Sequence, residues 1–170
     1  MTKAVLSSAL ALLALAGAAT AQENAYTSET DDYSVELPTP TWKAVPRADA
    51  ARPHLEFING DRADGYLRIR KEVIQESANL VEFARAEADT KLRFLPGFVP
   101  GGKETHFSAR LEGITTAYEY TSGGKPMAGR IYYLRADPRT VYALHFQGAR
   151  DKLQRIQNQT DSIARSFRVK

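Results

Sequence analysis

The chain contains no cysteine, which excludes disulfide frameworks, thiol nucleophiles and cysteine-ligated zinc sites. It also lacks any apolar run of the roughly 20 residues that span a bilayer. Its longest such stretch reaches only from Ala4 to about Ala16. Charge of one sign is scarce: 23 Lys and Arg against 20 Asp and Glu leave +3 on 170 residues. So small a surplus serves solubility, and nucleic acid is not an expected partner. Histidine occurs three times, at His54, His106 and His145, in separate segments without HExxH or His-x-His spacing. No metal site is therefore expected. There is no GxSxG elbow and no locally spaced carboxylate pair, so no catalytic residues stand out.

Two near-motifs fail on inspection. "GFVPGGKE", from Gly97, approaches the P-loop pattern GxxxxGK[ST], but Glu104 stands where the magnesium-binding hydroxyl belongs. The segment also follows a helical pattern rather than a strand, and Pro100 stiffens it, so nucleotide is not expected. "NGDRADG" has the flavour of a calcium loop, yet Asp61 and Asp64 are three apart, whereas an EF-hand needs oxygen ligands at alternate positions. It reads as a hairpin turn. "NQT" at Asn158 matches a glycosylation sequon but falls in the middle of a helical pattern. No cofactor is expected.

The N-terminus is informative. In "MTKAVLSSALALLALAGAATAQENAY", Lys3 supplies a positive start, a short apolar run follows, and Ala19-Thr20-Ala21 has the small-x-small pattern of a signal-peptidase site. The expectation is a signal peptide over 1–21, a mature chain from about Gln22, and a periplasmic or secreted product. Without a cysteine after the run there is no lipobox, hence no stable membrane anchor. Residues 22–32 are polar and expected to be flexible, and 33–170 suit a single domain large enough to bury its own core.

Within that domain, "YSVELP" alternates Tyr33, Val35 and Leu37 against Ser34 and Glu36, a strand stopped by Pro38. "TPTWKAVPRADAARP" reads as a proline-punctuated loop anchored by Trp42. "HLEFING" and "GYLRIRKEVI" read as a hairpin around "GDRADG". "NLVEFARAEADTKLRFLPG" predicts a helix capped by Asn79, with Glu82 three residues on and an apolar stripe of Leu80, Phe83 or Ala84, Ala88 and Leu92. A strand with Phe107, Ala109 and Leu111 on one face precedes a meander. The last element, "ARDKLQRIQNQTDSIARSF", places Leu153, Ile156, Thr160, Ile163 and Phe167 at steps of three and four, one helix with one face in the core. Strands joined by short turns pair antiparallel, and two amphipathic helices need a sheet to cover. The predicted fold class is α+β, an antiparallel sheet between helices.

The meander "TAYEYTSGGKPMAGRIYYLRADPRTVYALHF" puts Thr116, Tyr118 and Tyr120 on one face. Its next strand sets Ile131, Tyr133 and Arg135 against Arg130, Tyr132 and Leu134, and the third sets Tyr142, Leu144 and Phe146 against Val141, Ala143 and His145. If Asp137 pairs with Thr140, Tyr133 lies beside Leu144 and Arg135 beside Tyr142; a slip of one residue exchanges the faces. Large apolar residues on both faces predict a sheet covered on both sides, with tyrosines as core walls and hydroxyls at the rim. The alternative is a tyrosine-lined groove where the cover is incomplete.

One polar pattern points to binding. In "GYLRIRKE", Leu67 and Ile69 face one way while Tyr66, Arg68 and Arg70 line the other. An aromatic beside two guanidinium groups can hold a carboxylate or a sugar acid. Glu72 is placed to orient Arg70.

"YSVELPTPTW", "TVYALHF" and the closing "TDSIARSF" resemble the PsbP/Mog1-like superfamily, which includes the DcrB/DUF1795 proteins. The resemblance runs from about Tyr33 to Arg168. It implies an α/β/α sandwich and a non-catalytic protein with a protein or envelope partner. The expected function is thus an exported accessory or binding protein, not an enzyme. The alternatives are a small anionic-ligand binder using the Tyr66, Arg68 and Arg70 face, and a hydrolase assembled from dispersed His and acidic residues.

Overall fold

The computed structural model describes residues 25–27, 32–48 and 54–170. The expected leader, and residues 22–24 and 28–31 of the segment expected to be flexible, lie outside them. In chain order the strands are β1 (Ala25–Thr27), β2 (Tyr33–Glu36), β3 (Trp42–Arg47), β4 (His54–Asn59), β5 (Tyr66–Val73), β6 (Val99–Pro100), β7 (Thr105–Ser108), β8 (Glu112–Ser122), β9 (Lys125–Asp137), β10 (Thr140–Ala149) and β11 (Arg168–Val169). The helices are α1 (Leu80–Glu87), which runs on as a π-helical turn over Ala88–Leu92, α2 (Arg150–Arg155) and α3 (Gln157–Ser166).

The main sheet has the order β3-β4-β5-β10-β9-β8, with β6 and β7 both on the outer edge of β8, and every pairing is antiparallel. A small second sheet, β1-β2-β11, joins the two ends of the domain. Gly123 and Gly124, both at positive φ (56° and 74°), make the two-residue turn between β8 and β9, a conformation that other residues rarely adopt in tandem.

Both sheet faces are covered. On one, Phe57, Leu67, Tyr132, Leu144 and Phe146 pack against α2, α3 and the small sheet, with Leu153, Ile163 and Phe167 supplying the helical side. On the other, Ile131, Tyr133, Val141 and Ala143 meet Ala84 and Leu92 from α1 and its π-helical turn. Tyr132, Tyr133 and Tyr142 are at most 1% exposed, so the tyrosines are core walls. Two of the hydroxyls are bonded to acids: Tyr142 donates to Asp32 at 2.5 Å, and Tyr132 to Asp161.

Three expectations are corrected. Trp42–Arg47 is a strand, not a loop: all six residues pair with β4, and buried Trp42 donates Nε1–H to Gln159 at 2.8 Å. Pro46 is tolerated because β3 is the outermost described strand, where its missing N–H breaks no ladder. The register of the β9–β10 hairpin also differs. Asp137 does pair with Thr140, but a bulge follows at once, so Val141 faces Arg135, Ala143 faces Tyr133 and Leu144 faces Tyr132. One extra residue on β9 restores like faces to like cores, where the unbulged pairing would set Tyr133 beside Leu144. Finally, the last helix is two helices, interrupted at Ile156 (φ −95°, ψ 14°), although one apolar stripe continues across the break. Within the segment expected to be flexible, Ala25–Thr27 pair with β2.

The "NGDRADG" loop closes the β4–β5 hairpin. Asp61 accepts from the backbone of Ala63 on its carboxylate (2.7 Å) and from Asp64 on its carbonyl (3.0 Å), so this carboxylate serves the turn. Asn79 caps α1, accepting from Val81 N at 2.8 Å. Among the described residues no cluster of His, Asp and Glu could hold a metal ion, and no helix is long and apolar enough to cross a membrane.

Candidate functional site

The two-residue period of β5 sends Tyr66, Arg68 and Arg70 to the α1 face of the sheet. The β10 partners in register are Gln147 opposite Tyr66, His145 opposite Arg68 and Ala143 opposite Arg70. On the other side Glu56 of β4 is opposite Arg68. Helix α1 and its π-helical turn cover only part of this face. Beside Leu92 and Leu95 they leave a cavity of about 320 Å³ that Tyr66, Arg68 and Arg70 line together with Tyr133, His145 and Gln147.

Three of the cavity's four cations are already paired. Arg62 grips Glu56 with two bonds of 2.8 and 2.9 Å, and its guanidinium lies 4.0 Å over the Tyr66 ring. Arg70 donates to Glu72 at 2.5 Å and to Glu87 at 2.7 Å. Lys91 bonds Glu87 one helical turn before it. Glu56 is 3% exposed, yet Arg62 holds its carboxyl below the ordinary carboxylate range. Burial alone would push Glu87 upward; Lys91 and Arg70 outweigh it and keep that carboxyl low as well. Arg68 differs: it is half-buried and makes no salt bridge or hydrogen bond among the described residues. The aromatic-and-guanidinium face read from "GYLRIRKE" thus divides, with Arg70 built into an ionic cluster and Arg68 left open to the cavity.

A hydrogen-bond chain runs along the floor. Tyr66 donates its hydroxyl to Gln147 Oε1, Gln147 Nε2 donates to the Tyr118 oxygen at 2.6 Å, and the Tyr118 hydroxyl shares a hydrogen bond with His145 Nε2 at 2.7 Å. Gln147 is polarised by accepting and donating at once. His145 Nδ1 makes no hydrogen bond to the described residues. Tyr118 belongs to β8 and reaches β10 across Gly129 of β9, which is directly opposite it. Burial keeps the Tyr118 hydroxyl protonated well above the usual tyrosine range.

Burial, and next the positive charge of Arg70, push His145 down to about 3 from its usual 6.5. Arg68 acts in the same sense and Glu87 against it. Between those values the unfolded chain binds a proton that the folded chain refuses, so stability falls as pH drops below 6.5. The depressed carboxylates Asp32, Glu56, Glu87 and Glu104 lose their contribution only lower, as pH falls through the carboxylate range. A loss of about 1–2 kcal/mol from pH 6.5 to 4.5 is expected, reduced from the full linkage value because the cavity admits water. Urea midpoints across that window should slope in the wild type and flatten in His145→Gln; equal slopes would show that His145 titrates freely.

Sequence reasoning put Tyr66, Arg68 and Arg70 on one face, where they line one cavity, but missed Glu87, His145, Gln147 and Tyr118 as their neighbours. Glu87 had a signal: seven residues after Leu80 and three after Ala84, it is a carboxylate on the buried stripe of α1, and only a cation partner makes that tolerable. The others come from strands distant in sequence, and pairing order alone brings them together. Of the remaining histidines, His54 sits 3.4 Å from Glu56, and His106 of β7 bonds Glu112 at 2.9 Å on the surface.

No family model matches the chain, and no curated protein matches it in sequence. Solved structures do match its fold. The Ran-binding protein Mog1p of Saccharomyces cerevisiae superposes with a TM-score of 0.61 at 9% identity, covering 86% of this chain and 95% of that one. Cyanobacterial PsbP (CyanoP) of Synechocystis gives 0.59 at 16% identity over 94% and 99%. LpqN of Mycobacterium tuberculosis, involved in cell envelope biogenesis, gives 0.58 at 15% identity over 83% and 86%. The chain therefore has the PsbP/Mog1-like fold, an α+β sandwich. The narrower DcrB/DUF1795 resemblance rests on the sequence motifs alone.

Proposed function

We propose that the protein is an exported, non-catalytic accessory protein that binds another protein or an envelope component through the sheet face around Arg68. The observation that carries this reading is half-buried Arg68, which lines this cavity and the depression beside it with no carboxylate partner among the described residues. Leaving a charge partly desolvated and unpaired costs stability, a cost that an acidic group on a partner offsets. Export is supported by the leader-like first 21 residues, and a binding role by a fold that also serves a Ran-binding protein and a protein involved in cell envelope biogenesis.

The hydrolase alternative finds less support. His145 does share the cavity with Glu56 and Glu87, but both carboxylates are held by arginine or lysine, and His145 bonds Tyr118 instead. No serine, threonine or cysteine lines the cavity to act as nucleophile. A histidine that protonates only near pH 3 is also a poor base at neutral pH.

Wild-type and Arg68→Gln proteins immobilised as baits in envelope extract test the proposal. One charge-assisted contact contributes about 1.5–3 kcal/mol, so the variant should retain the specific component roughly ten- to a hundredfold less. Arg68 makes no bond to the described residues, so the variant should melt no lower than wild type and any loss of retention is not a loss of fold. Equal retention by both baits would sink this binding face.

A further inference from the structure

Resting on the reading that the Arg68 face is the binding surface, we infer that its cavity is a site for a single carboxylate carried on a compact apolar body. The carboxylate sits on Arg68, and the body lies against Leu92, Leu95, Ile131 and Tyr133.

Charge selects the anion. Arg62, Arg68, Arg70 and Lys91 line the cavity, and Glu56, Glu87 and the bridging Glu72 neutralise all but Arg68. Arg47 lies behind Glu56, 3.7 Å from it, in the neighbouring depression, which Arg68 also lines. One open guanidinium matches one negative charge, and its planar fork fits the two oxygens of a carboxylate. A phosphate dianion would bring a second charge that no cation in the cavity is free to meet. His145, opposite Arg68 in the register, has its Nδ1 without a hydrogen bond to the described residues.

Shape and lining select the body. An apolar cavity of about 150 Å³ accepts benzene. At about 320 Å³ this one has room for a ring, a short chain and the carboxylate. Leu92 and Leu95 form the helical wall, and Ile131 and Tyr133 the sheet wall. Phe83 meets Tyr133 edge-on (5.8 Å, 88°), which holds that wall in place.

Titration calorimetry on the purified full chain with 3-phenylpropionate, its neutral amide, acetate and inorganic phosphate tests this. The expected order is 3-phenylpropionate first, with acetate and the amide each at least tenfold weaker and phosphate without saturable binding. Arg68→Gln should weaken 3-phenylpropionate at least tenfold and leave the amide unchanged, while Arg68→Lys recovers part of the loss. Leu95→Ser should weaken 3-phenylpropionate and leave acetate unchanged. In NMR spectra the acid should shift the His145 imidazole and Tyr133 ring signals. Phosphate binding as tightly as the acid, acid and amide binding alike, or no saturable binding of any probe would overturn the inference. Arg68-dependent retention of an envelope component would survive that outcome, so failure of the ligand class is distinguishable from failure of the binding face.

Discussion

Truncating Phe167 to alanine is expected to lower the unfolding free energy by about 3–5 kcal/mol, the range for emptying a buried phenylalanine site. Phe167 is 1% exposed and caps the C-terminus of α3. Its ring stacks on Tyr33 (5.6 Å, 27°) and lies 4.9 Å from Tyr142, tying the helix to both sheets at once. The site collapses poorly, because Asp32 pins the Tyr142 hydroxyl and β11 follows immediately to pair with β2. Urea denaturation reads the effect directly. Phe94, 77% exposed, provides the control, and its alanine variant should stay within about 0.5 kcal/mol of wild type. A wild-type midpoint in Phe167→Ala would mean that α3 is not docked as described.

Gly129→Ala is expected to cost about 2–4 kcal/mol, through overpacking and the loss of a buried hydrogen-bond chain. A methyl group at Gly129 would lie 2.2 Å from Cε1 and Cζ of Tyr118 and 2.4 Å from its hydroxyl oxygen, inside any real contact distance. The ring has little room to yield, being 2% exposed and packed on Phe98 at 5.9 Å and Tyr120 at 5.8 Å. If it swings away, His145 Nε2 and Gln147 Nε2 both lose their partner. The measurement is a denaturation midpoint combined with the His145 imidazole chemical shifts. Gly148→Ala would be a poor control, since its methyl would meet the Asp64 carbonyl at 2.7 Å; Gly102→Ala meets nothing within 4 Å, although its φ of +100° adds its own strain. A normal midpoint with unchanged imidazole shifts would show that Tyr118 does not cross Gly129.

The sequence by itself determined the fold class, both helical faces, the hairpins and the burial of the tyrosines. Those features follow from local signals: period two in β9 and β10, period 3.6 around Ile163 and Phe167, and the Gly123–Gly124 pair where the backbone must turn left-handed. It also placed Tyr66, Arg68 and Arg70 on one face, because a strand alternates whatever its neighbours are. Tertiary structure decided the rest. A bulge invisible to alternation shifted the β9–β10 register, and strand order put β10 beside β5, so that His145 and Gln147 meet Arg68 and Tyr66. Whether an arginine is a spare cation or half of an ion pair depends on side chains from other elements. Arg68 and Arg70 are alike in sequence, two residues apart on one strand face. Only the approach of α1, carrying Glu87 to Arg70 and stopping short of Arg68, makes one structural and leaves the other open, because electrostatic pairing acts over a few ångströms of space rather than along the chain.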